Sequence, residues 1–435
     1  MFATGIDSSA PKIDGVRHDQ MEKTGHYDRW LEDIELVKQL GTRFLRFGPA
    51  IHRTFVGPDK FDWGHSDAVL AEVRKHDIVP IVDLCRFGVP DWIGDSQNPD
   101  LPRLFAGYAR AFAERYPWVQ LYTPVSTIFI TAFSSAKVGI FNEAKKDDTS
   151  FVTSIKHLSA ASVLAMMEIL QVRPDAIFIQ SERASYFHAE SPGAIGEAET
   201  LNAMRFLSLD LIYGHRMDSG MYEYLRDNGM SREEYRFFME TRLGRHCVLG
   251  TDYYPTNERR VAEDGTRSPA GETLGYDDIV TQYYERYRLP VMHTETSAPQ
   301  GMASEAAVEW LWKEWANALR VRNNGVPLVG FTWFPLVDQV DWSESGRLPN
   351  PGPAGQVNPV GLYDLDRKIR PVGEAYRQLI RMWRHLLPAQ SVCLLLPITL
   401  PSEYDEPMAV RRREIIHRYY TQPVESMPEN PFGRS

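Results

Sequence analysis

Charged and polar residues stand directly after short apolar runs at several points along the chain, and chemistry would sit there. The set is Asp7, Arg46, Asp83 with Arg86, Ser126 with Thr127, Glu182, Asp252 with Tyr253, Glu295, and Trp333 with Asp341. Burying such groups at the ends of strands is costly unless they pair, so a mutual network is expected. Arg46 with Glu295 is a natural pair, the guanidinium holding the carboxylate ionised. Asp83 reads as a hydrogen-bond acceptor that anchors a loop. His293 precedes Glu295 by two residues, so in a regular strand both would face the same way.

The elements that carry these residues alternate between short β-branched runs and amphipathic helices, the signature of parallel βα units. Trp30, Leu31, Ile34, Val37 and Leu40 recur at helical spacing, Gly41 stops the helix, and Arg43 to Phe47 follow as a strand. Further runs are Ile78–Asp83, Val119–Thr123, Ala176–Gln180, Cys247–Gly250, Pro290–Thr294 and Pro327–Trp333. With the opening strand there are eight, nearly continuously apolar, as in a closed parallel barrel with both faces buried. The predicted fold is α/β, a (β/α)8 TIM barrel over residues 1–384, closed by a helix from Pro371 to about Trp383. Residues 385–435 form a C-terminal extension, with Pro423 to Ser435 read as a tail.

Composition narrows the function classes. The net charge of -10 argues against a dominant phosphate-binding face and hence against nucleic acid. Three cysteines without paired spacing, Cys85, Cys247 and Cys393, point away from disulfides and thiolate metal clusters. No signal-length or membrane-length apolar run is evident, so a soluble, cytoplasmic protein is expected, with no membrane partner. His26, His52 and His65 lack metal-ligand spacing, and no glycine-rich phosphate loop occurs. No metal and no cofactor are expected; a homo-oligomer is left open.

Three stretches resemble the family 1 glycoside hydrolases, over roughly Phe2 to Trp383. The run Gly330-Phe331-Thr332-Trp333-Phe334-Pro335-Leu336-Val337-Asp338-Gln339-Val340-Asp341-Trp342 is similar to the family's strand-eight segment. The resemblance implies that Trp333 lines a sugar subsite and that Asp341 and Trp342 bind distal hydroxyls. His293-Thr294-Glu295-Thr296-Ser297 resembles the strand-seven motif, which makes Glu295 the nucleophile. Arg46 matches the arginine that contacts the nucleophile, and Tyr253 the tyrosine that hydrogen-bonds it; Asp252 replaces an asparagine. The departures lie in the pocket. Ser126 and Thr127 stand where the family has the asparagine that reads the 2-hydroxyl and the acid/base glutamate. Arg86 follows a strand where a sugar-binding histidine is usual, and Asp7 lies near a sugar-binding glutamine.

A threonine hydroxyl cannot replace a tuned carboxylic acid near neutral pH, and double displacement uses two carboxylates. Three readings follow. Glu295 forms a glycosyl-enzyme on an activated or unusual substrate, or with help from Glu182, Glu143 or Asp7. Alternatively it is the base or electrostatic group of a different reaction in specialised metabolism. In the third, the barrel binds a ligand or partner without turnover. Arg86 beside Arg46 favours an anionic, sugar-containing small molecule.

Overall fold

The computed structural model describes residues 1–298, 304–341, 355–384, 397–420 and 430–433. Eight parallel strands close into a barrel: β1 (Phe2–Gly5), β2 (Phe44–Phe47), β3 (Val79–Cys85), β4 (Leu121–Val125), β5 (Ile177–Arg183), β6 (Cys247–Asp252), β7 (Val291–Thr296) and β8 (Leu328–Trp333). Each pairs with its sequence neighbours, and β8 closes onto β1 through Phe2 opposite Phe331. The fold is therefore the (β/α)8 barrel that the strand count predicts.

Helices α1 (His26–Leu40), α2 (Gly64–Lys75), α3 (Leu101–Arg115), α4 (Asp148–Val172), α5 (Gly275–Tyr287), α6 (Ser304–Asn323) and α7 (Pro371–Trp383) alternate with the strands. Between β5 and β6 lies a run of shorter helices, Ile195–Met204 through Arg232–Glu240. Local chemistry fixes the helix ends. Gly41 closes α1 with φ 81°, and Asp147 caps α4 by accepting from the Ser150 amide at 2.7 Å. Helix α4 is long and apolar enough to cross a membrane, but 78% of that stretch is buried within the fold.

Alternation along the strands decides what reaches the barrel interior. Ala3, Ile81, Leu121, Ile179, Val248 and Met292 point inward and fill the lower layers. Leu45, Val82, Tyr122, Phe178 and Leu249 point outward into the sheet–helix core. Continuing the inward series toward the C-terminal ends of the strands brings up Arg46, Asp83, Ser181 and Asp252. Gly48, just past β2, lets that strand end lie against β3, because a Cβ there would fall 1.8 Å from the Asp83 carbonyl oxygen.

The C-terminal extension closes the opposite end. Ile398 and Leu400 pack against the interior cluster, and the Thr399 amide donates to Gln120 Oε1 at 2.7 Å. A helix, Pro407–Tyr420, follows. Within the stretch expected to be a tail, Phe432 is buried against Phe237 and Phe238, at ring separations of 5.6 and 5.8 Å. The tail expectation fails at that residue because an aromatic ring in an aromatic cleft gains more by burial than by solvation.

Candidate functional site

Glu295 sits at the C-terminal mouth of the barrel, 3% exposed, and every acceptor position of its carboxylate is occupied. Oε1 accepts from Arg46 Nη1 at 2.6 Å and from Arg86 Nη1 at 2.5 Å. Oε2 accepts from Arg86 Nη2 at 3.1 Å and from the Tyr254 hydroxyl at 2.8 Å. Four donors match the roughly four lone-pair sites of a carboxylate. Burial alone would raise this carboxyl, but the Arg86 and Arg46 guanidinia outweigh it and hold the group ionised, well below the usual range.

Both arginines are shared with other acids. Arg46 Nη2 donates to the two oxygens of Asp83, each at 3.0 Å. Asp83 is thus the second anchor of the buried cation, beyond the loop-anchoring role read from the sequence. Arg86 Nε donates to Asp7 at 3.2 Å, and its Nη1 also reaches the Ser126 hydroxyl at 3.3 Å. Asp7 accepts further from Gln339 Nε2 at 2.6 Å and from the Ser9 amide at 2.9 Å. The Phe334 ring lies 4.6 Å from the Arg86 guanidinium and 5.5 Å from that of Arg46, and so supports both. Two guanidinia against Glu295, Asp83 and Asp7 leave no excess positive charge in this network.

Asp252 stands beside Glu295 as its register partner on the neighbouring strand. Both of its oxygens accept from the Ser181 hydroxyl, at 2.7 and 2.9 Å. Burial, and then the charge of Glu295, push this carboxyl up, the opposite direction from its neighbour.

Several residues singled out in the sequence face elsewhere. Strand β7 carries an extra residue: Thr251 pairs with His293 but Asp252 pairs with Glu295, which leaves Thr294 over. This bulge breaks the two-residue alternation, so His293 points outward while Glu295 points in. His293 stacks on Tyr276 at 4.2 Å and meets Glu314 of α6 at 3.3 Å; burial lowers it to about 3, so it stays neutral. Glu182 falls on the outward register of β5 with Phe178, and accepts from the amides of Ile128 and Phe129 at 2.9 and 3.2 Å. It is a buried support for the turn after β4, raised to about 8 by burial.

Tyr253 also turns outward. Its hydroxyl donates to Glu258 at 2.9 Å, and the adjacent Tyr254 makes the bond to Glu295. Trp333 is fully buried in the outer layer, where its indole donates to the Val360 carbonyl at 3.0 Å. Phe334, one residue on, takes the inward position. Thr127 has a left-handed backbone, φ 48°, and a buried hydroxyl without a partner. Asp341 ends a small ribbon of Gln339–Val340 against Val357–Asn358, and Trp342 lies outside the described residues. Tyr254, Phe334, Asp83 and Gln339 therefore complete a site that the sequence reading left unfinished. Three of them, Tyr254, Phe334 and Gln339, lie within one or two residues of a position it named.

Among the described residues no three metal-ligating side chains converge. His26 pairs with Asp33 at 2.7 Å and His52 with Asp19 at 3.0 Å, while the His65 ring packs edge-on to that of His26.

No family model matches the chain. Beta-glucosidase A of Thermotoga maritima is 22% identical over 362 residues, 73% of this chain and 79% of that protein. Aryl-phospho-beta-D-glucosidase BglA of Bacillus subtilis is 23% identical over 384 residues, 74% of this chain and 78% of its own length. The 6-phospho-beta-glucosidase AscB of Escherichia coli is 28% identical over 183 residues, and there the match spans only 38% of the relative. In three dimensions the chain is similar to a family 1 β-glucosidase from Thermotoga maritima, with a TM-score of 0.69 at 16% identity, covering 88% of this chain and 97% of the other. The same enzyme in complex with deoxynojirimycin gives a TM-score of 0.70 with the same coverage. The chain is thus similar in sequence to β-glucosidases and phospho-β-glucosidases and shares the barrel fold of the family 1 enzyme.

Proposed function

From that kinship we propose that the chain is a glycoside-processing enzyme, acting by hydrolysis or transglycosylation with Glu295 as its carboxylate nucleophile. The observation that carries this reading is the four-donor grip on a buried, ionised Glu295 at the barrel mouth. A carboxylate held charged in such a place contributes little to packing and has a desolvation cost.

The same grip sets a condition for reaction. An oxygen whose lone pairs are all engaged cannot attack an anomeric carbon, so one donor must withdraw. Arg46 is fully buried and chelated by Asp83, whereas Arg86 lies in the loop after β3 with Asp7 and Ser126 as other acceptors. Arg86 is the donor that moves. With no spare positive charge in the network, a substrate carboxylate, phosphate or sulfate would have to compete with Glu295 and Asp7 for Arg86, and in winning it would release Glu295. Some of the relatives are phospho-glucosidases by name, which fits a substrate of this class.

Asp252 is the best candidate for the missing acid. It faces inward beside Glu295, and burial together with the Glu295 charge outweighs the pull of Arg46 and favours the protonated form. Their strands run about 5 Å apart, which puts the two carboxyls in the range of the close pair that retention uses. Opposed shifts in neighbouring carboxyls are the pattern of nucleophile and acid. In the first half-reaction Glu295 bonds to the anomeric carbon as the bond to the leaving oxygen breaks, and that oxygen takes the Asp252 proton. In the second, Asp252 takes a proton from water or an acceptor hydroxyl, whose oxygen displaces Glu295.

A second reading, ligand binding without turnover, is favoured by the saturation of the Glu295 oxygens. Intact mass after exposure to activated 2-deoxy-2-fluoro glycosides, neutral and 6-phosphorylated, separates the two. A gain of one fluorosugar that Glu295→Ala abolishes is expected. No adduct in the parent or in an Arg86→Met variant would rule out the nucleophile assignment.

A further inference from the structure

The helical insertion between β5 and β6 carries an open groove of about 910 Å³. Its lining comes from helix Ser219–Asp227, helix Arg232–Glu240, the turn of residues 214–218 before the first, and Arg242 after the second.

The walls are firmly held. Helix Arg232–Glu240 starts in a capping box of Ser231 and Glu234, and it buries Phe237 and Phe238 against Phe432. Gly214 lies so close to the end of this helix that a Cβ there would fall 2.9 Å from the Phe238 carbonyl oxygen. Tyr222 and Tyr235 tie the two helices together, their rings edge to face at 4.8 Å. A surface fixed in this way gives up little freedom when a partner docks.

The lining has the composition of an interface core. Seven of its eleven residues are arginine, tyrosine or methionine, the types enriched at the centres of protein interfaces and, for tyrosine and arginine, among their hot spots. Met217, Met239, Tyr222 and Tyr235 are only half-buried, so apolar surface is on offer, and methionine adapts its shape to the side chain it meets.

Charge selects the partner. Arg216, Arg236 and Arg242 all line the groove, and none makes a hydrogen bond or ion pair with a described residue. The two lining carboxylates are Asp218 and Glu240, and Asp218 is already engaged as the cap of helix Ser219–Asp227, accepting from the Met221 amide at 2.9 Å. Three guanidinia against two carboxylates leave one cation in excess, on a chain whose net charge is -10. Both carboxylates would repel the continuous phosphate backbone of a nucleic acid. A peptide can set its carboxylates opposite the guanidinia and an apolar side chain opposite the tyrosines and methionines.

We propose that this groove is a docking site for an acidic peptide segment of a partner protein, with one aromatic or aliphatic side chain as its anchor. Docking here requires no reaction at Glu295.

The test is fluorescence anisotropy on the full chain with short fluorescein-labelled peptides, glutamates flanking a central phenylalanine, tyrosine or leucine. Saturable binding of at least one is expected at low ionic strength, weakening as salt is added. Arg216→Gln, Arg236→Gln and Arg242→Gln should each weaken it about twofold to fivefold, and the three together about tenfold or more. Tyr222→Ala should weaken it about fivefold or more through loss of the anchor contact. Thermal melts establish that each variant is folded, and the glutamine variants, which alter only the heads of exposed or half-buried side chains, guard against misfolding in Tyr222→Ala. Glu295→Gln should bind as the parent does, so either outcome here leaves the glycosidase reading untouched. No binding by any of the peptides overturns the proposal, as does binding unchanged in the triple glutamine variant. Equal binding of a peptide with glutamine in place of glutamate overturns it too, because charge is then not what is read. Tighter binding of labelled oligothymidylate, lost in the triple variant, would replace the peptide by a nucleic acid. Self-association in sedimentation that the triple variant abolishes would replace it by a second copy of the chain.

Discussion

Replacing Arg86 by methionine tests the charge lattice and the masking of Glu295 in one variant. The side chain is 6% exposed, donates twice to Glu295 and once to Asp7, and lies over Phe334. Removing one partner of a buried ion pair costs about 3–5 kcal/mol. Arg46 and Tyr254 still hold Glu295, and Gln339 and the Ser9 amide still hold Asp7, so the low end, about 3 kcal/mol, is expected at neutral pH. A chain of 435 residues unfolds with an entropy of roughly 0.9 kcal/mol/K, so Tm should fall by about 3 °C. The pH dependence has a definite sign. The folded-state pKa of Glu295 is depressed, so its stabilisation is present above the ordinary value of 4.5 and is lost as pH falls through the folded value. The gap between parent and variant should therefore narrow on acidification below that point. Chemistry should move the other way: two charge-assisted hydrogen bonds fewer on the carboxylate should speed fluoroglycoside labelling about tenfold or more. Melts from pH 3 to 8 and a mass time course read both. A Tm within 1 °C of the parent (about 0.9 kcal/mol) together with unchanged or slower labelling would refute the argument that Arg86 clamps and masks Glu295.

Asp252→Asn should cut turnover of glycosides with poor leaving groups by about 100-fold or more, yet leave labelling by activated fluoroglycosides nearly intact. Added azide should then give a glycosyl azide; equal losses on both substrate types would exclude Asp252 as the proton donor. Glu182 and Glu314 are both raised to about 8 by burial, so their folded forms keep a proton that the unfolded chain releases near 4.5. Their contribution to stability is full below 4.5 and falls as pH rises from there to about 8; Glu182→Gln and Glu314→Gln should each flatten the decline across that window, and an unaltered slope in both would count against it. Phe432→Ala should lower stability by about 3 kcal/mol through loss of its contacts with Phe237 and Phe238, with labelling of Glu295 unchanged. A melt identical to the parent's would mean that this ring is not docked in solution.

The sequence alone determined the barrel. Alternating apolar runs and 3.6-period stretches are local properties, and eight such units with both strand faces apolar have few ways to bury themselves other than closure. It also located Glu295 and Arg46, because a charge at the end of a buried strand stands out wherever the strand points. The tertiary structure decided which neighbours join them. Side-chain direction has a period of two, so one extra residue inverts everything after it, and nothing in the letters at Thr294 marks a bulge. That inversion brings Glu295 into the mouth, while His293, before the extra residue, keeps its outward direction. Choices between adjacent residues, Tyr254 over Tyr253 and Phe334 over Trp333, were beyond one-dimensional reading for the same reason: adjacent residues at a strand end differ by a half-turn in space and by nothing in the local pattern. The proximity of Asp252 to Glu295 and the grip of Arg86 arise only when strands distant in the chain are set side by side.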